Sequence, residues 1–182
     1  MTKSKDMRFK HSGFTIIELL VVIVVIGILV TITVVNYNGV QARSRDTIVK
    51  NAAKQVAVEL LRYSSDTGNT PLQTGGGSNG GGSGWFSSQI SGGSYPLPTE
   101  TVLVNGGYLP SGFTAALPKN IVYNNSNSTT LMLYGCGSKY VVYYSLEAPT
   151  SGDISDFNSV KTQCSSGSLQ TSYNMQGGYI FN

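Results

Sequence analysis

Residues 14–35, FTIIELLVVIVVIGILVTITVV, form an apolar run of 22 residues that contains one charge, Glu18. As a helix the run reaches roughly 33 Å at ~1.5 Å per residue, enough to cross a hydrocarbon core of about 30 Å. Its many Ile and Val are mediocre helix formers in water. In lipid that matters less, because a backbone segment there must satisfy its own hydrogen bonds. Lys3, Lys5, Arg8 and Lys10 precede the run against a single acid, Asp6. Basic residues on that side predict a cytoplasmic N-terminus, one membrane pass and export of everything downstream. A secretory signal peptide cut after Val40-Gln41-Ala42 is the alternative, although its apolar part should be only ~7–15 residues long.

Charge narrows the function classes. The chain carries 12 basic and 9 acidic residues, a formal net charge of +3, and the first ten residues account for that excess. The remainder is neutral, so no basic face for nucleic acid is expected. The only histidine is His11. Everything after it therefore lacks imidazole for acid–base catalysis, a Ser/His triad or a zinc site. No catalytic activity and no cofactor are expected.

Four zones follow from composition: 1–13 short and basic, 14–35 apolar, 36–64 amphipathic, and 65–182 rich in Gly, Ser, Thr, Asn and Tyr. In the third zone Val40, Ile48, Val49, Ala52, Ala53, Val56, Ala57, Leu60, Leu61 and Tyr63 recur at three- and four-residue steps among charged positions, the pattern of an amphipathic helix. Asn36, Asn38 and Gly39 are poor helix-interior residues and mark a weak, flexible join. Gly68 and Pro71 end the helix. Residues 75–84, GGGSNGGGSG, read as a flexible loop. Strands are predicted at Thr101–Val104, Ile121–Tyr123, Thr129–Tyr134, Lys139–Glu147 and Tyr179–Phe181, with breaks at Asn124–Ser128 and Gly135–Ser138. Such an antiparallel meander must bury one face, and the helix of residues 40–63 is the obvious cover. The expected fold is α+β, a long N-terminal helix packed on a small antiparallel sheet in a globular head.

A carboxylate inside an apolar span is costly at the bilayer centre and less so near an interface. Cutting between Gly13 and Phe14 would leave Phe14 with a free amine and make Glu18 the fifth residue of the new chain. Two staggered helices could then set one carboxylate beside the next chain's amine, offsetting the desolvation of both and specifying register.

The segment GFTIIELLVVIVVIGIL, residues 13–29, resembles the class III signal of type IV pilins and pseudopilins. The likeness rests on the short basic leader, the Gly13–Phe14 pair, Thr15, Glu18 and the unbroken apolar stretch. Tyr37 and Ala42-Arg43-Ser44 also stand where such pilins often carry Tyr and Ala-Arg-Ser. The resemblance implies a leader at 1–13 and a membrane and filament-core helix at 14–35. A prepilin peptidase would cleave at Gly13 and methylate the Phe14 amine, and Glu18 would guide subunits into a helical homo-oligomeric filament with other pilins. An assembly platform in the cytoplasmic membrane and later display at the cell surface are implied too. A pseudopilin of a secretion system, or an anchored exported domain that never polymerises, are the alternatives. Many relatives have Pro where Val35 stands; here Asn36 to Gly39 could supply the flexibility instead.

Cys136 and Cys164, the only cysteines, lie in the exported part and most simply form a disulfide, with two free thiols as the alternative. Many pilins carry a comparable bridge. Asp153 and Asp156 are too few for calcium, which takes 6–8 oxygen ligands, so a solvated loop is expected there. Tyr123, Tyr134, Tyr140, Tyr143 and Tyr144 read as half-buried core of antiparallel strands rather than as an adhesive surface. Asn124-Asn125-Ser126 and Asn127-Ser128-Thr129 are formal but weak N-glycosylation patterns.

Overall fold

A computed structural model of the chain describes residues 13–69, 84–86, 98–118, 131–164 and 174–182, leaving aside the side chains of 33–36, 38, 84 and 85. The chain divides into two compact units, 1–40 and 41–182. Helix α1, Ile16–Thr67, contributes to both.

In the second unit α1 buries Ala42, Asp46, Val49, Ala52, Ala53, Val56, Ala57, Leu60 and Tyr63. These positions recur at three- and four-residue steps, so they form one stripe. The Gly68 N–H donates to the Ser64 carbonyl at 3.0 Å and closes the last turn. The chain then contributes β1 (Gly84–Trp85), α2 (Thr99–Asn105), a 3-10 turn (Thr114–Ala116), β2 (Leu131–Cys136), β3 (Lys139–Tyr144), α3 (Ser151–Gln163) and β4 (Gly177–Phe181). The four strands form one antiparallel sheet in the order β1-β2-β3-β4. The β2–β3 hairpin pairs Cys136 with Lys139 across a two-residue turn, with Gly137 at φ +64°.

Alternation along the strands assigns two faces. Leu131, Leu133, Val142 and Phe181 pack with the α1 stripe and with Phe86, Leu103 and Leu109. Met132, Val141 and Tyr143 turn the other way and pack with Phe157, Val160 and Cys164 of the α3 side and with Met175. The sheet is thus covered on both faces, which is why LMLYGC and KYVVYY carry no clean polar alternation. Gly178 of β4 makes the second contact close: a Cβ there would lie 3.0 Å from Val160 Cγ1 and 3.1 Å from Val141 Cγ1.

The α+β expectation holds, with a helix packed on a small antiparallel sheet. Four local expectations need correction. Thr101–Val104 is helix, not strand: α2 opens after Pro98, carries Glu100 in its first turn and buries Leu103, and Gly106 ends it. Its β-branched residues suggested a strand, but the proline start and glycine stop decide the local conformation. Residues 151–156 are the first turns of α3, not a solvated loop, because Thr150 and Asp153 form a capping box. The hairpin break is confined to Gly137 and Ser138, since Gly135 and Cys136 still pair with β3. Strand β3 ends at Tyr144 rather than at Glu147. The strand expected at Ile121–Tyr123, the Asn124–Ser128 break, both glycosylation patterns and all of loop 75–84 but Gly84 lie outside the described residues.

Candidate processing and assembly segment

Among its described residues the first unit is helical from Ile16 onward, and the helix start is set by Thr15. The Thr15 backbone N–H and hydroxyl both donate to Glu18 Oε2, at 2.8 and 2.7 Å, and the Glu18 N–H donates back to Thr15 Oγ1 at 3.3 Å. Thr15-Ile16-Ile17-Glu18 is therefore a reciprocal capping box, which satisfies donors that a helix start leaves open. It also sets an acid at the positive end of the helix dipole. Glu18 was expected to matter between molecules; its role within the molecule was missed, although the T-x-x-E spacing spells it out.

Gly13 and Phe14 precede the first helical residue, Ile16, in backbone without regular structure. The Phe14 side chain is 84% exposed, and a Cβ on Gly13 would meet nothing within 4 Å. This Gly–Phe pair lies exposed ahead of the helix. Beyond it, every large apolar side chain from Ile16 to Ile32 is exposed, from 83% at Ile16 down to 48% at Val22. A contiguous apolar surface of that kind marks a membrane- or protein-facing segment. Thr31 does not interrupt it, because its hydroxyl donates to the Gly27 carbonyl at 2.8 Å. Among the described residues no helix is long and apolar enough to cross a membrane. The apolar run of the sequence continues through 33–35, whose side chains lie outside the description. At the expected weak join, α1 is helical through Asn36, Asn38 and Gly39.

In the second unit Cys136 and Cys164 form the disulfide, which ties the end of β2 to the residue after α3. The Tyr143 hydroxyl donates to the Cys164 carbonyl at 2.7 Å beneath it. Tyr143 is fully buried, while Tyr134, Tyr140 and Tyr144 are half-buried. Burial pushes the Tyr144 hydroxyl up to about 12, with Asp153 and Asp156 adding to the effect. Tyr123 lies outside the described residues. Asp153, weighed above as a calcium ligand, instead caps α3 and pairs with Lys50 Nζ at 2.5 Å, and Asp156 is exposed. Among the described residues no three metal-ligating side chains gather.

A Gly–Phe pair thus directly precedes an exposed apolar stretch of helix. Consistent with this, residues 8–34 match the family described as the prokaryotic N-terminal methylation motif. The match is consistent with the type IV pilin or prepilin-type family, whose members are structural, and it implies processing by a prepilin peptidase and assembly with other pilins. It ends at residue 34, so residues 41–182 rest on their own structure. No curated protein and no solved structure matches the chain.

Proposed function

We propose that the chain is the precursor of a structural subunit of a type IV pilus-like surface filament. The precursor is cut between Gly13 and Phe14, Phe14 is N-methylated, and the mature chain polymerises through residues 14–35. The observation that carries this reading is the coincidence of the methylation motif with the exposed apolar stretch Ile16–Ile32 of α1, in which Glu18 is the only charge. The helix waits in the cytoplasmic membrane and then moves into a bundle of like helices. That step exchanges one apolar surround for another, so packing and the Glu18–amine pairing can tip the balance. Asn36, Asn38 and Gly39 supply low helix propensity for bending on assembly. The methylation motif supports a pseudopilin subunit of a secretion system equally well, and long surface fibres containing the chain distinguish the two.

The test is mass spectrometry of the chain recovered from its native membrane or fibres. A methylated N-terminal Phe14 is expected, and Gly13→Leu should accumulate the uncut precursor. Native material that begins at Met1, or cleavage of Gly13→Leu at the same bond, overturns the proposal.

A further inference from the structure

From Ala42 to Ala57 the buried stripe of α1 is almost featureless. Its apolar members are Ala42, Val49, Ala52, Ala53, Val56 and Ala57, and larger side chains, Leu60 and Tyr63, come only in the last turns. A face of small, similar side chains packs closely, yet it barely distinguishes one axial position from another a turn away: Ala53 can stand in for Ala57, and Val49 for Ala53. Asp46 breaks that degeneracy. It is 4% exposed and is the only charged residue in the buried class among the described residues. Its Oδ1 accepts from the Glu147 backbone N–H at 2.7 Å and its Oδ2 from the Ala148 N–H at 2.9 Å. These amides lie midway along the connection, residues 145–150, from β3 to α3. Two ion pairs flank the contact. Arg45 Nε and Nη2 reach the two Glu147 oxygens, both at 2.6 Å, and Lys50 Nζ reaches Asp153 Oδ1 at 2.5 Å.

We propose that Asp46 is a register pin, which fixes the axial position of α1 on the β3–α3 connection. A slip of one turn would carry Ala42 or Lys50 to the two amides, break both hydrogen bonds and leave the buried Asp46 carboxylate without those donors. Unmade bonds of buried groups cost far more than made ones contribute. A single buried polar residue sets register in coiled coils by the same logic. The exposed Arg45–Glu147 pair adds little, because solvent screens it. The pin is independent of the filament reading and holds for the chain in any role.

The test uses the full chain in detergent micelles with genetically encoded spin-label sites at Lys54 and Asn158. Both positions are exposed, and this labelling leaves the Cys136–Cys164 bridge intact. Asp46→Ala should add a second distance, displaced by up to ~5.4 Å, one helical turn. Hydrogen exchange at amides 147 and 148 should quicken at least about tenfold, the size of one lost buried bond. Asp46→Asn keeps one acceptor and should show the second distance at a lower fraction; it decides the matter if the alanine variant does not fold. Arg45→Gln should keep the single distance. An unshifted single distance in the Asp46 variants overturns the pin. So does exchange that quickens equally across β2 and β3, which would make Asp46 a contributor to overall stability only.

Discussion

Removing the Cys136–Cys164 bridge tests the layered fold most directly. The bridge spans a sequence separation of 28 and joins the end of β2 to the residue that follows α3. On the chain-entropy relation, closing a loop of that length stabilises the fold by roughly 3.5 kcal/mol through the unfolded state. The folded contact adds to this, since Cys164 is 1% exposed and packs in the cluster of Met132, Tyr143, Phe157 and Val160. Cys136→Ser with Cys164→Ser is the perturbation, and the reduced wild-type chain is the control without a replaced side chain. Urea unfolding of the full chain in mild detergent, followed by circular dichroism, is the assay. At roughly 2 kcal/mol per M of urea, both reduced forms should unfold about 1.5–2 M earlier. Hydrogen exchange should place the first loss of protection in α3, which then keeps only Phe157 and Val160 as buried anchors. A midpoint within about 0.2 M of wild type would refute the reasoning, because the loop term alone is several times larger. Uniform loss of protection, with α3 no worse than β3, would refute the assignment of the bridge to that layer.

Three further outcomes are expected. Gly178→Ala puts a Cβ 3.0, 3.1 and 3.2 Å from Val160 Cγ1, Val141 Cγ1 and Tyr143 Cδ1, so overpacking should cost about 1–3 kcal/mol in unfolding experiments. Val160→Ala should recover part of that loss in the double variant, and strict additivity would contradict the contact. Thr15→Val removes the hydroxyl of the first capping box; exchange at residues 16–19 should quicken by about 1 kcal/mol of capping energy, with Thr15→Ser as wild type. The third outcome concerns acid. The Arg45 hydrogen bond holds Glu147 below its ordinary 4.5; burial raises Asp153, but bonds from Lys50 and Thr150 outweigh it and hold the group below 3.8. Groups lowered on folding contribute stability above their unfolded values and lose it as pH falls through the folded ones. The melting temperature should therefore stay level from neutral pH to about 5 and fall below about 4. Asp153→Asn should flatten most of that fall and Glu147→Gln little of it, since solvent screens the exposed Arg45–Glu147 pair; an unchanged acid limb in Asp153→Asn counts against the Lys50–Asp153 pair.

How much was legible in the sequence depended on whether the deciding interaction was local. The long helix, most of the α1 stripe and the hairpin strands were readable because their periodicity is written in nearby residues, such as Val49, Ala53, Val56 and Leu60, although Val40, Ile48 and Leu61 of the expected stripe are exposed. Helix α2 was misread because Thr101, Val102 and Val104 outvoted the Pro98 start and the Gly106 stop. Helix α3 was missed for a related reason: Ser151 to Asp156 is polar, and its capping box has only Phe157 and Val160 as apolar followers. The second cover of the sheet could not be foreseen without α3, nor the tolerance of Gly178 for Val160. Asp46 looked like one more charge on a polar face. Its burial depends on amides a hundred residues away, which no local pattern encodes.

Glu18 shows how local and long-range demands meet in one residue. A carboxylate in an apolar segment needs donors, and Thr15 supplies two of them to a single oxygen, Oε2. An ionised carboxylate offers about four acceptor sites, so the capping box leaves roughly half of that capacity. The internal contact and the proposed pairing with another chain's Phe14 amine are therefore successive rather than competing. Thr15 holds the carboxylate at the helix start, beside the place where cleavage would create the amine. A freely rotating acid would lose rotamer entropy on meeting a partner, and a capped one has already lost it. This ordering predicts that Thr15→Val slows assembly while Glu18→Ala abolishes it. Equal defects would contradict this ordering, because Thr15 would then be as necessary as the carboxylate it positions; a harmless Glu18→Ala would remove the pairing altogether.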